Sequence, residues 1–221
     1  MQQALDREEI RDAVRRSRLI TITTTGYFSD ERKYIDQVLD IFLEEAGLEV
    51  YKQKLSYCVH ELAGNAIKGN TKRVYFEEKG LNIDNESEYW IGMEGFRRET
   101  VDRISHYLRR QRQLGLKIKL QFKLNGPNVM IGVRQNIGLT RIERNRIRTK
   151  LSVSGQYGDM TEAYARIEDS SEGAGLGIVM MIMMLRNIGL NRDVIRYYFG
   201  EEETYVLLKI RLQEQINSMT S

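Results

Sequence analysis

Lys117-Ile-Lys-Leu-Gln-Phe-Lys-Leu124 alternates polar and apolar residues without a break. Successive side chains of a strand point to opposite faces, so this segment fits a sheet with one buried and one half-exposed face. Asn125-Gly-Pro-Asn128 makes a turn, and Val129 to Val133 returns as the partner strand. Whatever else the chain does, it must cover one side of this hairpin.

The rest of the sequence supplies helices for that cover and further strands for the sheet. Residues 4–16 have helix-forming composition, and Leu19 to Thr25 is β-branched and alternating, so it reads as a strand. Asp30 is placed to cap a helix carrying Tyr34, Ile35, Val38, Leu39, Ile41, Phe42 and Leu43, ended by Gly47. Gln53 to Lys68 repeats Leu55, Val59, Leu62, Ala63, Ala66 and Ile67 at helical spacing. Arg73-Val-Tyr-Phe-Glu77 reads as a strand, 80–96 as an irregular loop, and Arg97 to Gln113 as a basic amphipathic helix. Ile142 to Leu151 and Ile178 to Ile188 read as helices, and Ile195–Phe199 with Tyr205–Leu212 as a closing hairpin. The order predicts an α+β fold, a two-layer sandwich of helices on a mixed, mostly antiparallel sheet. No repeat or Pro/Ser-rich linker divides the chain. The expected organisation is a helical extension at 1–18 and one domain at 19–215, with an insert at about 80–116.

Composition removes several classes of function. With 34 basic and 31 acidic residues the net charge is only +3, which gives no strong field toward nucleic acid or membrane. One cysteine, Cys58, excludes a disulfide framework and a cysteine-rich zinc site, and two histidines leave little for a histidine metal centre. Gly173 to Leu185, the longest uncharged stretch, is shorter than the roughly 20 apolar residues of a membrane span. The first 18 residues are charged and lack a signal peptide's apolar core. A cytoplasmic globular protein is expected.

Two segments carry chemistry. In Tyr57-Cys-Val-His-Glu-Leu-Ala-Gly-Asn-Ala-Ile-Lys68, the residues Glu61, Asn65 and Lys68 stand at i, i+4 and i+7, on one helix face. A carboxylate, a carboxamide oxygen and an ammonium there suit water activation, Mg²⁺ ligation and phosphate contact. The plainer alternative is a solvated polar face. In Gly173-Ala-Gly-Leu-Gly177, three glycines open an apolar helix, so the backbone can approach an anion at the helix N-terminus. No Gly-Lys-Ser/Thr follows and no strand precedes, which excludes a Walker loop and a Rossmann fingerprint. A tight loop against a buried helix is the plainer alternative here. Met180, Met181, Met183 and Met184 read as core filling.

Taken together and in this order, the two segments resemble the GHKL (Bergerat-fold) ATPases: histidine kinases, gyrase B, MutL, the large heat-shock chaperones and anti-sigma-factor kinases. Glu61-x-x-x-Asn65-Ala66-x-Lys68 looks like the N box of that superfamily, and Gly173-Ala-Gly-Leu-Gly177 like its second glycine box. The similarity covers roughly residues 19–212, and Thr204 matches the usual start of the last strand. It implies the histidine-kinase-like ATPase fold, with ATP and Mg²⁺ as cofactors. Glu61 is the implied catalytic residue and Asn65 the metal ligand. Asn65, Lys68, Lys72, Gln135, Asn136, Gly138, Gly173, Gly175, Leu176 and Gly177 are the implied nucleotide contacts. A lid at 152–172 would order on nucleotide.

One box departs from the pattern. The first glycine box reads Asp-x-Gly-x-Gly, whereas Arg134-Gln-Asn-Ile-Gly-Leu139 follows the strand here. Gln135 or Asn136 stands where the adenine-reading Asp belongs, and only Gly138 remains. An amide still accepts from the adenine amine but without the charge that strengthens the bond. His60-Glu-Leu also opens like a phosphoacceptor box, but Ala-Gly-Asn follows instead of Arg and Pro. His60 is therefore read as a packed or hydrogen-bonded neighbour of the site, and His106 as a surface residue.

Three functions stay open at this point. The first is an ATP-binding signalling protein, a kinase or slow ATPase acting on a protein partner of the regulator, sigma-factor or response-regulator type, with homodimerisation left open. The second is a pseudo-ATPase that senses nucleotide without turnover. The third is nucleic-acid binding through Arg97, Arg98, Arg103, Arg109, Arg110 and Arg112, which the low net charge disfavours.

Overall fold

A computed structural model describes residues 5–154, 176–190 and 192–212. The hairpin forms as its alternation dictates. Strand β2 (Ile118–Asn125) pairs with β3 (Asn128–Gln135), and Ile118, Leu120 and Phe122 are wholly buried while Lys119, Gln121 and Lys123 stay half-exposed. Strands β1 (Ile20–Thr24), β4 (Ile195–Phe199) and β5 (Thr204–Arg211) complete a sheet of order β1-β2-β3-β5-β4. Among the described residues every neighbouring pair is antiparallel, as the expected α+β sandwich of helices on a mostly antiparallel sheet requires. The segment expected to add a strand before the hairpin is helical instead.

That segment belongs to α3 (Lys52–Lys79), a helix of 28 residues. Helices α1 (Arg7–Arg15), α2 (Ser29–Glu45), α6 (Arg141–Val153) and α7 (Leu176–Arg186) share the main layer with its first half. Ile10 and Val14 of α1 are buried in the main core, so the N-terminal extension is built into the fold. Helix α2 begins at Ser29, which puts Asp30 in its first turn instead of at the cap. Gly47, just beyond its end, adopts φ +68°, the left-handed conformation that glycine takes without steric cost.

The insert is not a loop followed by one basic helix. It is two helices, α4 (Glu86–Asp102) and α5 (Ile104–Gln113), packed on the second half of α3. Asn85 accepts from the Glu88 amide and starts α4, and the chain breaks at Arg103 before α5. Val74, Tyr75 and Phe76 look strand-like because three consecutive bulky residues are apolar. They are helical because α4 and α5 cover them, forming a second core with Tyr89, Phe96 and Tyr107. A polar layer separates the two cores: Asn70 and Thr71 of α3 and Gln111 of α5 are buried, and Gln111 donates to Thr71 Oγ1 at 2.7 Å.

Candidate functional site

Glu61 and Asn65 sit one turn apart on α3, and Asn65 Nδ2 donates to Glu61 Oε1 at 2.8 Å. The bond directs the amide nitrogen to the carboxylate, so the Asn65 oxygen is not spent on Glu61. Gly177, in the first turn of α7, lies directly on this pair. A Cβ built there would stand 1.8 Å from Glu61 Oε1 and 2.2 Å from Cδ. Residues 116 positions apart thus meet only because position 177 has no side chain. Leu176 lies beside it and is half-buried. Gly173, Gly175 and the expected lid segment from 155 to 172 lie outside the described residues, while Ser152 and Val153 end α6.

Gln135 and Asn136, the two amides expected near the site, are placed differently. Asn136 is exposed and its amide is spent on backbone: Oδ1 accepts from Lys117 N at 2.7 Å and Nδ2 donates to Gly115 O at 2.9 Å. Gln135 is buried and faces α3, its Oε1 only 3.2 Å from where a Cβ on Gly69 would be. Gln135 is the amide that looks toward the Glu61–Asn65 stripe. Lys68, on the same face of α3, is exposed.

Lys72 has other company. Its ammonium lies 3.0 Å from Glu143 Oε1 and donates to the Tyr89 hydroxyl at 3.1 Å. Arg73 takes the same carboxylate with two bonds, at 3.2 and 2.6 Å, and donates to Gly138 O at 2.8 Å. Glu143 is 7% exposed. Burial alone would raise its pKa, but the Lys72 charge and then the Arg73 hydrogen bond and charge outweigh this and hold the carboxyl down at about 2. Neither Arg73 nor Glu143 was legible as part of the site. The only local signal, Thr140-x-x-Glu143, is a capping box that starts α6, and both of its bonds form.

Among the described residues no group of three or more His, Cys, Asp or Glu side chains could hold a metal ion. The arginines of the insert are partly paired, Arg103 with Glu99 and Arg110 with Glu78, as an ordinary solvated face would be. His106 is half-buried and bonded to Glu78 at 2.8 Å. Cys58 is buried, and burial first, then Glu61, pushes its thiol pKa up to about 12, so it is no nucleophile at neutral pH. No helix among the described residues is long and apolar enough to cross a membrane.

An uncharacterized protein of Treponema pallidum (strain Nichols) is 38% identical over 217 residues, covering 98% of this chain and 42% of its own length. The chain therefore spans less than half of that relative. No family model matches the chain, and no solved structure matches it.

Proposed function

We propose that the chain binds Mg²⁺-ATP beside the Glu61–Asn65 face of α3, as a GHKL-type module that acts on or regulates a protein partner. One observation carries the reading: the last glycine of the glycine box seats on the N-box carboxylate, with no room for even a methyl group between them. Two motifs singled out for triphosphate chemistry converge on one spot. The donor set fits the cofactor. Mg²⁺ is commonly held by one or two protein oxygens plus substrate phosphates, and the Asn65 oxygen, not spent on Glu61, would supply one. Glu61 is a proton acceptor for the attacking hydroxyl or water, Lys68 an exposed cation for phosphate, and Gln135 a neutral reader of the base. A neutral amide in place of a carboxylate favours weak, poorly discriminating binding, which supports nucleotide sensing as the second reading.

Calorimetric titration with Mg²⁺-ATP, and separately Mg²⁺-GTP, tests this. Wild-type protein should bind both with modest selectivity, and Asn65→Ala should lose the Mg²⁺-dependent part while melting like wild type. No heat at millimolar nucleotide would end the reading.

Gly177→Ala probes the carrying observation. The atom in the way is the end of a flexible side chain, so Glu61 swings aside and the fold loses less than about 1 kcal/mol. The Asn65–Glu61 bond breaks, however, and ATP affinity should fall at least about tenfold, about 1.4 kcal/mol. Unchanged affinity would mean that the meeting of the two boxes has no bearing on nucleotide.

A further inference from the structure

Next to Glu61, but on the side of α3 that faces α2, runs a second polar chain. His60 is 14% exposed, and its Nε2 donates to Asp36 Oδ1 of α2 at 2.6 Å. Ser56 Oγ donates to the same oxygen at 2.9 Å. The Tyr27 hydroxyl, in the connection from β1 to α2, bonds His60 Nδ1. With Nε2–H committed to a carboxylate, Nδ1 is the acceptor, so Tyr27 is the donor. The order is hydroxyl, imidazole, carboxylate: a nucleophile on a base, and the base on the group that orients it.

A mere tether between loop and helix would need none of the surrounding electrostatics. The Arg32 guanidinium lies over the Tyr27 ring, 5.3 Å from its centroid, a cation on the face of the phenol whose oxygen would gain negative charge. Burial raises the Tyr27 pKa beyond its ordinary value; Arg32 opposes this, while Asp36 and Glu61 add to it. The phenol is therefore protonated at rest and needs a base at the moment of attack. His60 and Glu61 are consecutive residues of α3, so the chain borders the proposed nucleotide site.

We propose that Tyr27 is a nucleophile activated by His60 and Asp36, and that it accepts the γ-phosphoryl group of a nucleoside triphosphate bound beside Glu61. The acceptor role rests on the nucleotide reading above; the activation of Tyr27 does not. In the step, Tyr27 Oη forms a bond to the γ-phosphorus as the bond from phosphorus to the β–γ bridging oxygen breaks. That electron pair leaves with the nucleoside diphosphate. The phenolic proton passes to His60 Nδ1, Asp36 stabilises the imidazolium, and the proton then goes to solvent.

Two measurements on the full chain decide it. Incubation with Mg²⁺-ATP, followed by peptide mass spectrometry, should show acid-stable phosphate on Tyr27, absent in Tyr27→Phe. In His60→Gln, which cannot take the proton, the rate should fall by about 10²–10⁴. Labelling with an arylsulfonyl fluoride, which needs no nucleotide site, should make Tyr27 the fastest of the 12 tyrosines, and His60→Gln should erase that lead. If Tyr27 labels no faster than the others, the activation is overturned whatever nucleotide does. If calorimetry finds ATP bound while Tyr27 stays unphosphorylated, the acceptor role is overturned and the nucleotide reading stands. If calorimetry finds no ATP bound, both the nucleotide reading and the acceptor role fall.

Discussion

Glu143→Ala is expected to lower the unfolding free energy by about 3–5 kcal/mol, the cost of breaking a buried ion pair from one side. The carboxylate is 7% exposed and is the shared partner of Lys72 and Arg73. Removing it leaves two cations, themselves only 14% and 18% exposed, facing each other without an anion. It also takes the Glu143 side chain from the start of α6, where Oε2 accepts from Thr140 N at 3.1 Å. Urea denaturation checks the figure; a loss under about 1 kcal/mol would place this cluster among weak surface pairs.

The same group sets an acid limit on stability. Its folded pKa of about 2 lies below the ordinary 4.5. A depressed carboxyl contributes stability that is fully present above its unfolded pKa and is lost as pH falls through the folded one. The window here runs from about 4.5 down to about 2. The contribution across it is about 3 kcal/mol. Glu143→Ala should therefore flatten the acid limb of a stability–pH curve as well as lowering its plateau.

What the sequence made legible follows the reach of its signals. The β2–β3 hairpin, the first half of α3 and the β4–β5 hairpin are local patterns of period two or 3.6, and they form as read. The second half of α3 was misread because Val74-Tyr75-Phe76 satisfies strand composition, and only α4 and α5 decide otherwise. The first part of α4, up to Phe96, reads as loop because Gly92 and Gly95 look like loop residues. In the fold they are contact points: a Cβ at Gly92 would stand 2.5 Å from the Phe76 ring, and one at Gly95 would stand 3.0 Å from the Tyr75 hydroxyl. The local signal for that helix is its cap, Asn85 accepting from the Glu88 amide. The site divides the same way. Glu61, Asn65 and Lys68 share a face by spacing within one helix. Tyr27 and Asp36 reach His60 from 33 and 24 residues away, and no local rule announces such a meeting.

Gly138→Ala should cost about 2–3 kcal/mol, because overpacking is least forgiving where backbone meets backbone. A Cβ there would stand 1.9 Å from Glu201 O, 2.7 Å from its carbon and 3.0 Å from Gly200 O. No rotamer change relieves these contacts; the β4–β5 turn itself must lift. That turn is fastened on both sides, by Thr204 Oγ1 donating to Ile137 O at 3.1 Å and by Arg134 bonding Glu203 at 2.7 and 2.8 Å. The Gly138 carbonyl also accepts from Arg73, so displacement at 138 reaches the Glu143 cluster, and the two substitutions combined should cost less than their sum. Gly64→Ala is the matched control: it lies inside α3 with nothing within 4 Å of its added methyl. It should stabilise by about 0.5–1 kcal/mol through helix propensity alone. Opposite signs at the two glycines would show that Gly138 has a seat to keep, independent of any nucleotide. A neutral Gly138→Ala would mean that the turn does not rest there, and the role expected of Gly138 beside a base would be the reason left for a glycine at that position.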